Sequence, residues 1–323
     1  QRDFLKTHKL QHAHDHGDDG DEDEDEGHVF EANDIIAHPF QRSTFVEDAR
    51  GRRRLQTYTK TRYVELAIVN DPGMLAAYNN LDTVLDKTVQ IVATLQNYYL
   101  SADFGSTVGN IQIVLSAIFY IEDFDSSPLQ KPVPYDQTLC GTGTSYTPNL
   151  YDGSPSGTYC EVAYSDYLSK FQTYRRTYLS NYDNAQLFSY YDFGSSVIGY
   201  ASLPGMCINS ASGGIEQCTY DEEYNGNIVA HEMGHNFNMK HDGSVGGNSC
   251  DQESYIMASV GSPYGTRPDS FSTCSVTYVQ QFFDSSSYAS ALKCVDDKPT
   301  ETSFAVCGNG FVEEGENCDC GAT

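Results

Sequence analysis

The sequence predicts an α/β domain built on an open sheet, because strand-like and helix-like apolar segments alternate over most of its length. Aliphatic runs at residues 63–69 and 111–119 are typical of buried strands. Between them, residues 74–100 place apolar side chains at helical spacing, namely Leu81, Val84, Leu85, Val89, Val92 and Leu95. A hydrophobic content of 39% in 323 residues supplies material for one sizeable domain with flanking pieces.

The second half of the chain continues the alternation. Residues 126–158 are rich in Gly, Pro, Ser and Tyr and predict a surface insertion, in which a Cys140–Cys160 disulfide is expected from proximity alone. A helix is predicted at 164–179, strands at 186–190 and 197–202, and two further helices at 226–237 and 278–292.

Composition excludes several classes of protein. A net charge of −26 with no basic stripe argues against nucleic-acid binding. The ten cysteines begin at Cys140 and mostly lie outside CxxC patterns, which favours disulfides in an oxidising compartment over thiolate zinc sites. The longest apolar stretch, residues 111–121, is too short to cross a bilayer. No signal peptide is visible, so the expectation of secretion depends on the cysteines and on the resemblance described below.

The N-terminal part differs in composition from the rest. Residues 15–26 are dominated by Asp and Glu without an apolar side chain, and we expect them to be disordered. Neighbouring histidines leave loose metal binding as a minor alternative to a solvated linker. A basic cluster follows at Arg50, Arg52, Arg53 and Arg54, which resembles a proprotein-convertase site. Residues 1–54 are therefore predicted to be the end of a pro-segment, although a solvated basic cluster is the alternative.

The residues that carry chemistry lie in the run from His231 to Asp242. His231 and His235 are four residues apart, so a helix presents both imidazoles on one face, with Glu232 beside them. Such a pair binds zinc, which lowers the pKa of a bound water to about 7, and the carboxylate then takes the proton as the water attacks a carbonyl. The pattern predicts peptide hydrolysis.

Two further features support this prediction. His241 lies six residues after His235, so the helix must end and the chain must bend before the third imidazole reaches the same metal. We place the bend at Asn238, where a left-handed backbone is expected. Met257 lies in a segment, Tyr255-Ile256-Met257-Ala258, that resembles the methionine turn of metzincin proteases.

Together these residues resemble the adamalysin or ADAM group (reprolysins) of metzincins. Similar stretches occur at residues 62–71, 183–187, 198–201 and 271–275, and residues 307–321 resemble the opening of a disintegrin domain. The resemblance implies a twisted, mostly parallel five-stranded sheet with long helices, and a smaller C-terminal subdomain across the active-site cleft. It places the protease domain at residues 55–299, followed by a linker and a truncated disintegrin start at 300–323.

The resemblance also implies further sites. A structural calcium ion would be held by Glu65, Asp183, Asp297 and the carbonyl of Cys294, since carboxylate and carbonyl oxygens suit a hard cation. Disulfides are implied between Cys207 and Cys294 and between Cys250 and Cys274, leaving Cys218 without an obvious partner.

An extended substrate is most simply held as a strand added to a sheet edge. The candidate edge is Val197, Ile198, Gly199, Tyr200 and Ala201, and the opposite wall is expected to include Met257, Ser259 and Val260.

The function expected is an extracellular zinc endopeptidase acting on protein substrates, with Glu232 as general base and then proton donor. The alternative is a catalytically silent adhesion or scaffold protein of the same family that binds cell-surface receptors through its disintegrin region. Intact His231, Glu232, His235 and His241 favour catalysis.

Overall fold

The computed structural model describes residues 60–121, 162–193, 196–260 and 267–299, and the backbone of four short strands elsewhere. The acidic segment, Arg50, Arg52, Cys140 and the disintegrin-like stretch lie outside the described residues. The chain divides into two units. In the first, His8–Thr57, strand β1 (Thr44–Glu47) pairs antiparallel with β2 (Arg53–Gln56), which contains Arg53 and Arg54 of the predicted processing site.

The second unit is built on a five-stranded sheet. Its strands are β3 (Thr61–Asn70), β4 (Asn110–Tyr120), β7 (Asn184–Ser189), β8 (Gly199–Ala201) and β9 (Gly213–Gln217). Their order is β4-β3-β7-β9-β8, with all pairs parallel except β8 with β9. The predicted α/β class and the mostly parallel sheet are confirmed. A separate two-stranded ribbon joins β5 (Ser145–Tyr146) to β6 (Tyr159–Cys160).

Helices cover both faces of the sheet, as parallel strands require. They are α1 (Pro72–Tyr78), α2 (Leu81–Ser101), α3 (Gly105–Val108), α4 (Tyr164–Tyr178), α5 (Glu222–Asn236) and α6 (Thr273–Asp284). Helices α2 and α5 pack in the larger core, which also contains Ile68, Phe188 and Met257. Helix α4 covers the other face, where Phe171 packs with Ile215.

The single helix predicted at 74–100 is in fact two helices. Asn79 has a φ of 49° and ends α1, and Asn80 caps α2 by accepting hydrogen bonds from the backbone N–H groups of Asp82 and Thr83. Asp71 caps α1 in the same way, and Pro72 follows it at the first helical position. Two adjacent asparagines therefore interrupt an apolar pattern that by itself predicts continuity.

The described residues after α5, 237–260 and 267–299, contain little regular structure. Helix α6 spans Thr273–Asp284 and is followed, after a turn, by a 3₁₀ helix at Ala291–Val295, so the single helix predicted at 278–292 is wrong. Disulfides Cys207–Cys294 and Cys250–Cys274 are both present, as the resemblance implied, and Cys218 is free and buried. These cross-links add to the apolar packing of Met239, Ile256 and Phe282, which belong to the larger core.

Strand β9 was not predicted, because its sequence Gly-Gly-Ile-Glu-Gln lacks the apolar pattern of a buried strand. No helix in the described ranges is long and apolar enough to span a membrane.

Candidate metal centre

Helix α5 carries the first two histidines. It begins after Asp221, whose side chain accepts a hydrogen bond from the Tyr224 N–H, and two acidic residues in its first turn complement the helix dipole. Along this helix His231 and His235 lie one turn apart, and their ring centroids are 4.7 Å from each other. The helical spacing predicted from the sequence is therefore realised.

The third histidine is delivered by a turn. The Asn238 N–H donates to the carbonyl of His235, and Asn238 has a φ of 72°. The left-handed conformation predicted at this position is confirmed. It turns the chain back, so that the Met239 N–H bonds to the carbonyl of Gly234 and His241 faces the two helical rings.

Backbone carbonyls orient the two helical imidazoles. His231 Nδ1 lies 2.7 Å from the Ile256 carbonyl oxygen, and His235 Nδ1 lies 2.8 Å from that of Met239. A carbonyl oxygen only accepts hydrogen bonds, so in the neutral rings Nδ1 carries the proton and Nε2 keeps a lone pair. This fixes the tautomer that binds a metal through Nε2.

The three Nε2 atoms converge. His241 Nε2 is 3.2 Å from the Nε2 atoms of both His231 and His235. Because the latter two atoms hold lone pairs, the cluster is better explained as a ligand set than as a hydrogen-bond network. Tetrahedral ligands about 2.0–2.1 Å from one ion lie about 3.3 Å apart, which fits zinc.

Burial keeps the imidazoles uncharged. It lowers the pKa of His231 well below its ordinary value and that of His235 to about 4, and it also lowers the pKa of His241. Neutral rings are the form that ligates a metal. Among the described residues, the other group of metal-binding side chains is Asp242, Cys250 and Cys274, and its two cysteines form a disulfide.

The methionine turn lies beneath the histidines. The Ala258 N–H bonds to the Tyr255 carbonyl, and the Met257 carbonyl accepts from the backbone of Asp242. Met257 itself has no exposed surface. Its predicted place along the substrate wall is therefore corrected, because a fully buried side chain supports the site from below and does not contact a substrate.

Glu232 lies between α5 and the sheet edge. Its side chain is 5% exposed, and burial raises its pKa to about 8. A divalent cation on the neighbouring histidines would lower this pKa. A Cβ at Gly199 would lie 2.3 Å from Glu232 Oε1, so strand β8 must have glycine here for the carboxyl group to fit.

Asn236 is a supporting residue that sequence reasoning missed. Its amide nitrogen donates to the carbonyls of Ser202 and Gly213, and its oxygen accepts from Asn184 and Gln186. These bonds join the end of α5, directly after His235, to the sheet. A polar side chain adjacent to a ligand on a buried helix is the sequence signal that could have revealed it.

The predicted substrate-binding residues flank this centre. Val197 and Ile198 lead into β8, which forms the edge of the sheet and includes Gly199, Tyr200 and Ala201. Tyr200 is 40% exposed and packs edge-on against Tyr164. Ser259 is partly buried and Val260 is 79% exposed, and the predicted wall beyond Val260 lies outside the described residues.

The predicted calcium ligands are a separate, looser cluster. Asp183 Oδ2 accepts a hydrogen bond from the Glu65 N–H. Burial, with Glu65 and Asp297 nearby, raises the pKa of Asp183 to about 7, and the pKa of Glu65 is raised by burial and by Asp297. The 3₁₀ helix that contains Cys294 contacts β3, which contains Glu65. The structure thus brings the three acids into electrostatic contact.

Comparisons with known proteins agree with this geometry. Residues 159–299 match the Reprolysin (M12B) family of zinc metalloproteases. The chain is similar to the mouse (Mus musculus) disintegrin and metalloproteinase domain-containing protein 12, with 29% identity over 84% of this chain and 26% of that protein. It is also similar to the mouse disintegrin and metalloproteinase domain-containing protein 19, with 35% identity over 51% of this chain and 18% of that protein.

The chain therefore spans about a quarter or less of the length of these relatives. The residues that match the family model, 159–299, include the histidine-bearing helix, the turn at Asn238 and the methionine turn. Over residues 159–299 the chain is therefore similar to the reprolysin (M12B) family of zinc metalloproteases, and the relatives it matches are of the ADAM type.

Proposed function

We propose that the protein is an active, extracellular zinc endopeptidase that cleaves peptide bonds in protein substrates. The observation that carries the proposal is the convergence of three histidine Nε2 atoms on one point, with the Glu232 carboxyl group on the adjacent helical position. A silent member of such a family would not need to keep all four side chains. Histidine nitrogens in this arrangement suit zinc, and the position of Glu232 suits a general base.

Each group has a defined task in peptide hydrolysis. His231, His235 and His241 would hold the metal, with the tautomers of the first two set by Ile256 and Met239. Zinc bound there would acidify a water molecule and polarise the peptide carbonyl. Glu232 takes the proton from the attacking water and passes it to the leaving amine nitrogen.

Strand β8 would hold the substrate. It is the outermost strand of the sheet and pairs with β9 on one side, so an extended peptide could add to its other side through backbone hydrogen bonds. Gly199 places this edge directly beside Glu232. Val197 to Ala201 would then contact the substrate backbone, with Ser259 and Val260 on the opposite wall.

The test is cleavage of a broad peptide library by the protein after removal of residues 1–54. We expect cleavage that a chelator abolishes and zinc restores. Glu232→Gln is the matched control, because it keeps the shape and the metal ligands but cannot take a proton, and we expect it to lower cleavage by about 10²–10⁴-fold. Absence of chelator-sensitive cleavage in the wild type would favour the adhesion or scaffold alternative.

We also propose that Glu65, Asp183, Asp297 and the Cys294 carbonyl bind calcium. Support comes from the raised pKa values of Asp183 and Glu65, which are due first to burial and then to repulsion between the acids, and a hard cation would relieve that repulsion. Calcium should raise the melting temperature of the wild type and leave that of Asp183→Asn unchanged. An equal rise in both would contradict the assignment.

The setting and maturation follow from the same proposal. Two described disulfides suit an oxidising, extracellular compartment, whether the full-length protein is secreted or held at the cell surface. Cleavage after Arg53 or Arg54 would release a pro-segment. The relatives' names include a disintegrin domain, and residues 300–323 would contribute the start of one here, a region through which cell-surface receptors could bind. N-terminal sequencing of the secreted protein would locate the cut.

A further inference from the structure

Strand β9 contains a buried carboxyl group that the proposed reaction does not use. Glu216 is 0% exposed, and neither of its carboxyl oxygens has a hydrogen-bond partner among the described residues. Burying an unpaired carboxyl group is costly, whereas an apolar side chain would fit a core strand without that cost. We therefore expect the buried Glu216 carboxyl group to have a hydrogen-bond partner.

Strand pairing identifies the neighbour. In the antiparallel pair of β8 and β9, Glu216 lies opposite Gly199, and residues directly opposite share one face of the sheet. Gly199 has no side chain, and Glu232 Oε1 lies 2.3 Å from the point where its Cβ would be. The Glu232 carboxyl group thus occupies the cross-strand place next to the Glu216 side chain.

A second glycine completes the compartment. Gly214 is two residues before Glu216 on the same face, and a Cβ there would lie 3.2 Å from Glu216 Oε1 and 2.4 Å from Gln186 Oε1. Gln186 Oε1 and Glu232 Oε2 are also buried and have no hydrogen-bond partner within the described ranges. Carboxyl and amide oxygens of Glu216, Glu232 and Gln186 therefore lie close together, and among the described residues none of these unpaired oxygens has a hydrogen-bond donor.

A proton on Glu216 resolves this excess of acceptors. Burial, and next the nearby Glu232, raise the pKa of Glu216 well above its ordinary value, so the neutral acid is the favoured form. A neutral carboxyl group is a donor as well as an acceptor. Two unpaired acceptors lie nearby, Glu232 Oε2 and Gln186 Oε1. Glu232 is the favoured partner because its carboxyl group lies at Gly199, directly opposite Glu216 in the strand pair.

We propose that Glu216 is a positioning residue that donates a hydrogen bond from its carboxylic acid to Glu232 and so holds the Glu232 carboxyl group in its working orientation. The inference rests on the proposed function, in which Glu232 is the general base. Glu216 does not touch the reacting atoms and acts only through Glu232. The competing acceptor is Gln186 Oε1, which would give Glu216 a purely structural role.

The first test compares two replacements of similar length in the zinc-loaded chain. Glu216→Gln keeps a donor, and Glu216→Met does not. We expect Glu216→Met to lower kcat on the order of tenfold with KM and zinc content unchanged, as for other residues that orient a metal-site group. We expect Glu216→Gln to restore most of that loss. A Glu216→Met variant with wild-type kcat and a raised melting temperature would show a merely structural residue and overturn the proposal.

The second test does not require catalysis. Infrared spectra of the full chain, recorded with and without zinc, should contain a neutral-carboxyl carbonyl band that disappears in Glu216→Gln and shifts in Glu232→Gln. A band that shifts in Gln186→Leu and not in Glu232→Gln would overturn the proposal. If the wild type cleaves no peptide, the proposed function fails, while the infrared result still decides whether Glu216 bonds to Glu232.

Discussion

The parts of the domain before and after the end of α5 are held together in different ways. The described residues from Thr61 to Asn236 form a five-stranded sheet with helices on both faces, and an apolar cluster lies on each face. The described residues from Phe237 to 299 form one helix of twelve residues and a short 3₁₀ helix, and two disulfides link this part. Both parts nevertheless contribute ligands to the same centre.

This difference explains how the site is assembled. His231 and His235 need only the helical period, which the packing of α5 on the sheet maintains. His241 depends on a left-handed residue and on hydrogen bonds to the methionine turn, since no sheet supports it. Two of the ligands are therefore positioned by a helix packed on the sheet, and the third by turn geometry, covalent links and apolar packing such as that of Met257.

Removing the ligand that the turn provides should abolish function without unfolding the core. We expect His241→Ala to lose zinc and to reduce peptide cleavage by more than about 100-fold, since disturbing even an outer partner of a ligand costs about 10–100-fold. The unfolding free energy of the metal-free chain should change by less than about 1 kcal/mol, because the ring is only half buried. Zinc content, activity and urea unfolding measure these effects. Lys240→Ala, at the exposed neighbouring position, is the control.

Removing the Cys250–Cys274 disulfide should selectively destabilise residues 237–299, the part of the domain after α5. The bond closes a loop across a separation of 24 residues, and its loss is expected to cost about 3 kcal/mol. We expect the Cys250→Ser/Cys274→Ser variant to release zinc to a chelator faster.

The matched comparison is Ile68→Ala, which opens a cavity beside the interior strand β3 and is expected to cost about 2–5 kcal/mol. It should lower global stability with little effect on zinc release from the folded protein. Equal acceleration of zinc release in both variants would contradict the proposed division of roles.

The free energy of unfolding should depend on pH because of a residue in the part of the domain before the end of α5. Burial raises the pKa of Asp71, the cap of α1, from 3.8 to about 6. Between these two pH values the folded state therefore binds more protons than the unfolded state. The contribution of Asp71 to the free energy of unfolding is present at low pH and is lost as the pH rises through 6. At about 1.4 kcal/mol per pKa unit, the loss is at most about 3 kcal/mol.

Urea unfolding of the wild type and Asp71→Asn from pH 4 to 7 measures this contribution. Asparagine also caps helices, so the variant should keep α1 and lose only this part of the pH dependence. Parallel pH profiles for the two proteins would refute it.

The smallest effect is expected at the bend. Asn238 has a φ of 72°, a conformation that costs most side chains about 1 kcal/mol or more. Asn238→Ala should lower the unfolding free energy by about 1 kcal/mol and weaken zinc binding in chelator competition. Asn238→Gly should remain within about 0.5 kcal/mol of the wild type, because glycine adopts this conformation freely. A neutral alanine variant would show that the bend does not depend on this residue.

Features governed by local spacing were predictable from the sequence. The strands β3 and β4, the helical pair of histidines and the bend at Asn238 follow from short-range pattern, whereas the edge position of β8 was expected from the family resemblance. Strand β9 was missed because glycines and Glu216 interrupt its apolar pattern. The break between α1 and α2 was missed because the apolar spacing runs across Asn79 and Asn80, although their capping geometry ends one helix and starts the next.

The sequence by itself determined the chemistry of the protein: which side chains can hold the metal, which carboxylate stands beside them, and where the chain must turn. Those properties depend on residue type and separation along the chain. The tertiary structure decided what each side chain faces. It placed Met257 beneath the histidines, joined Asn236 to the sheet and set Glu216 beside Glu232 across two glycines. Such contacts join residues distant in the sequence, and only the packing of α5 on the sheet brings them together.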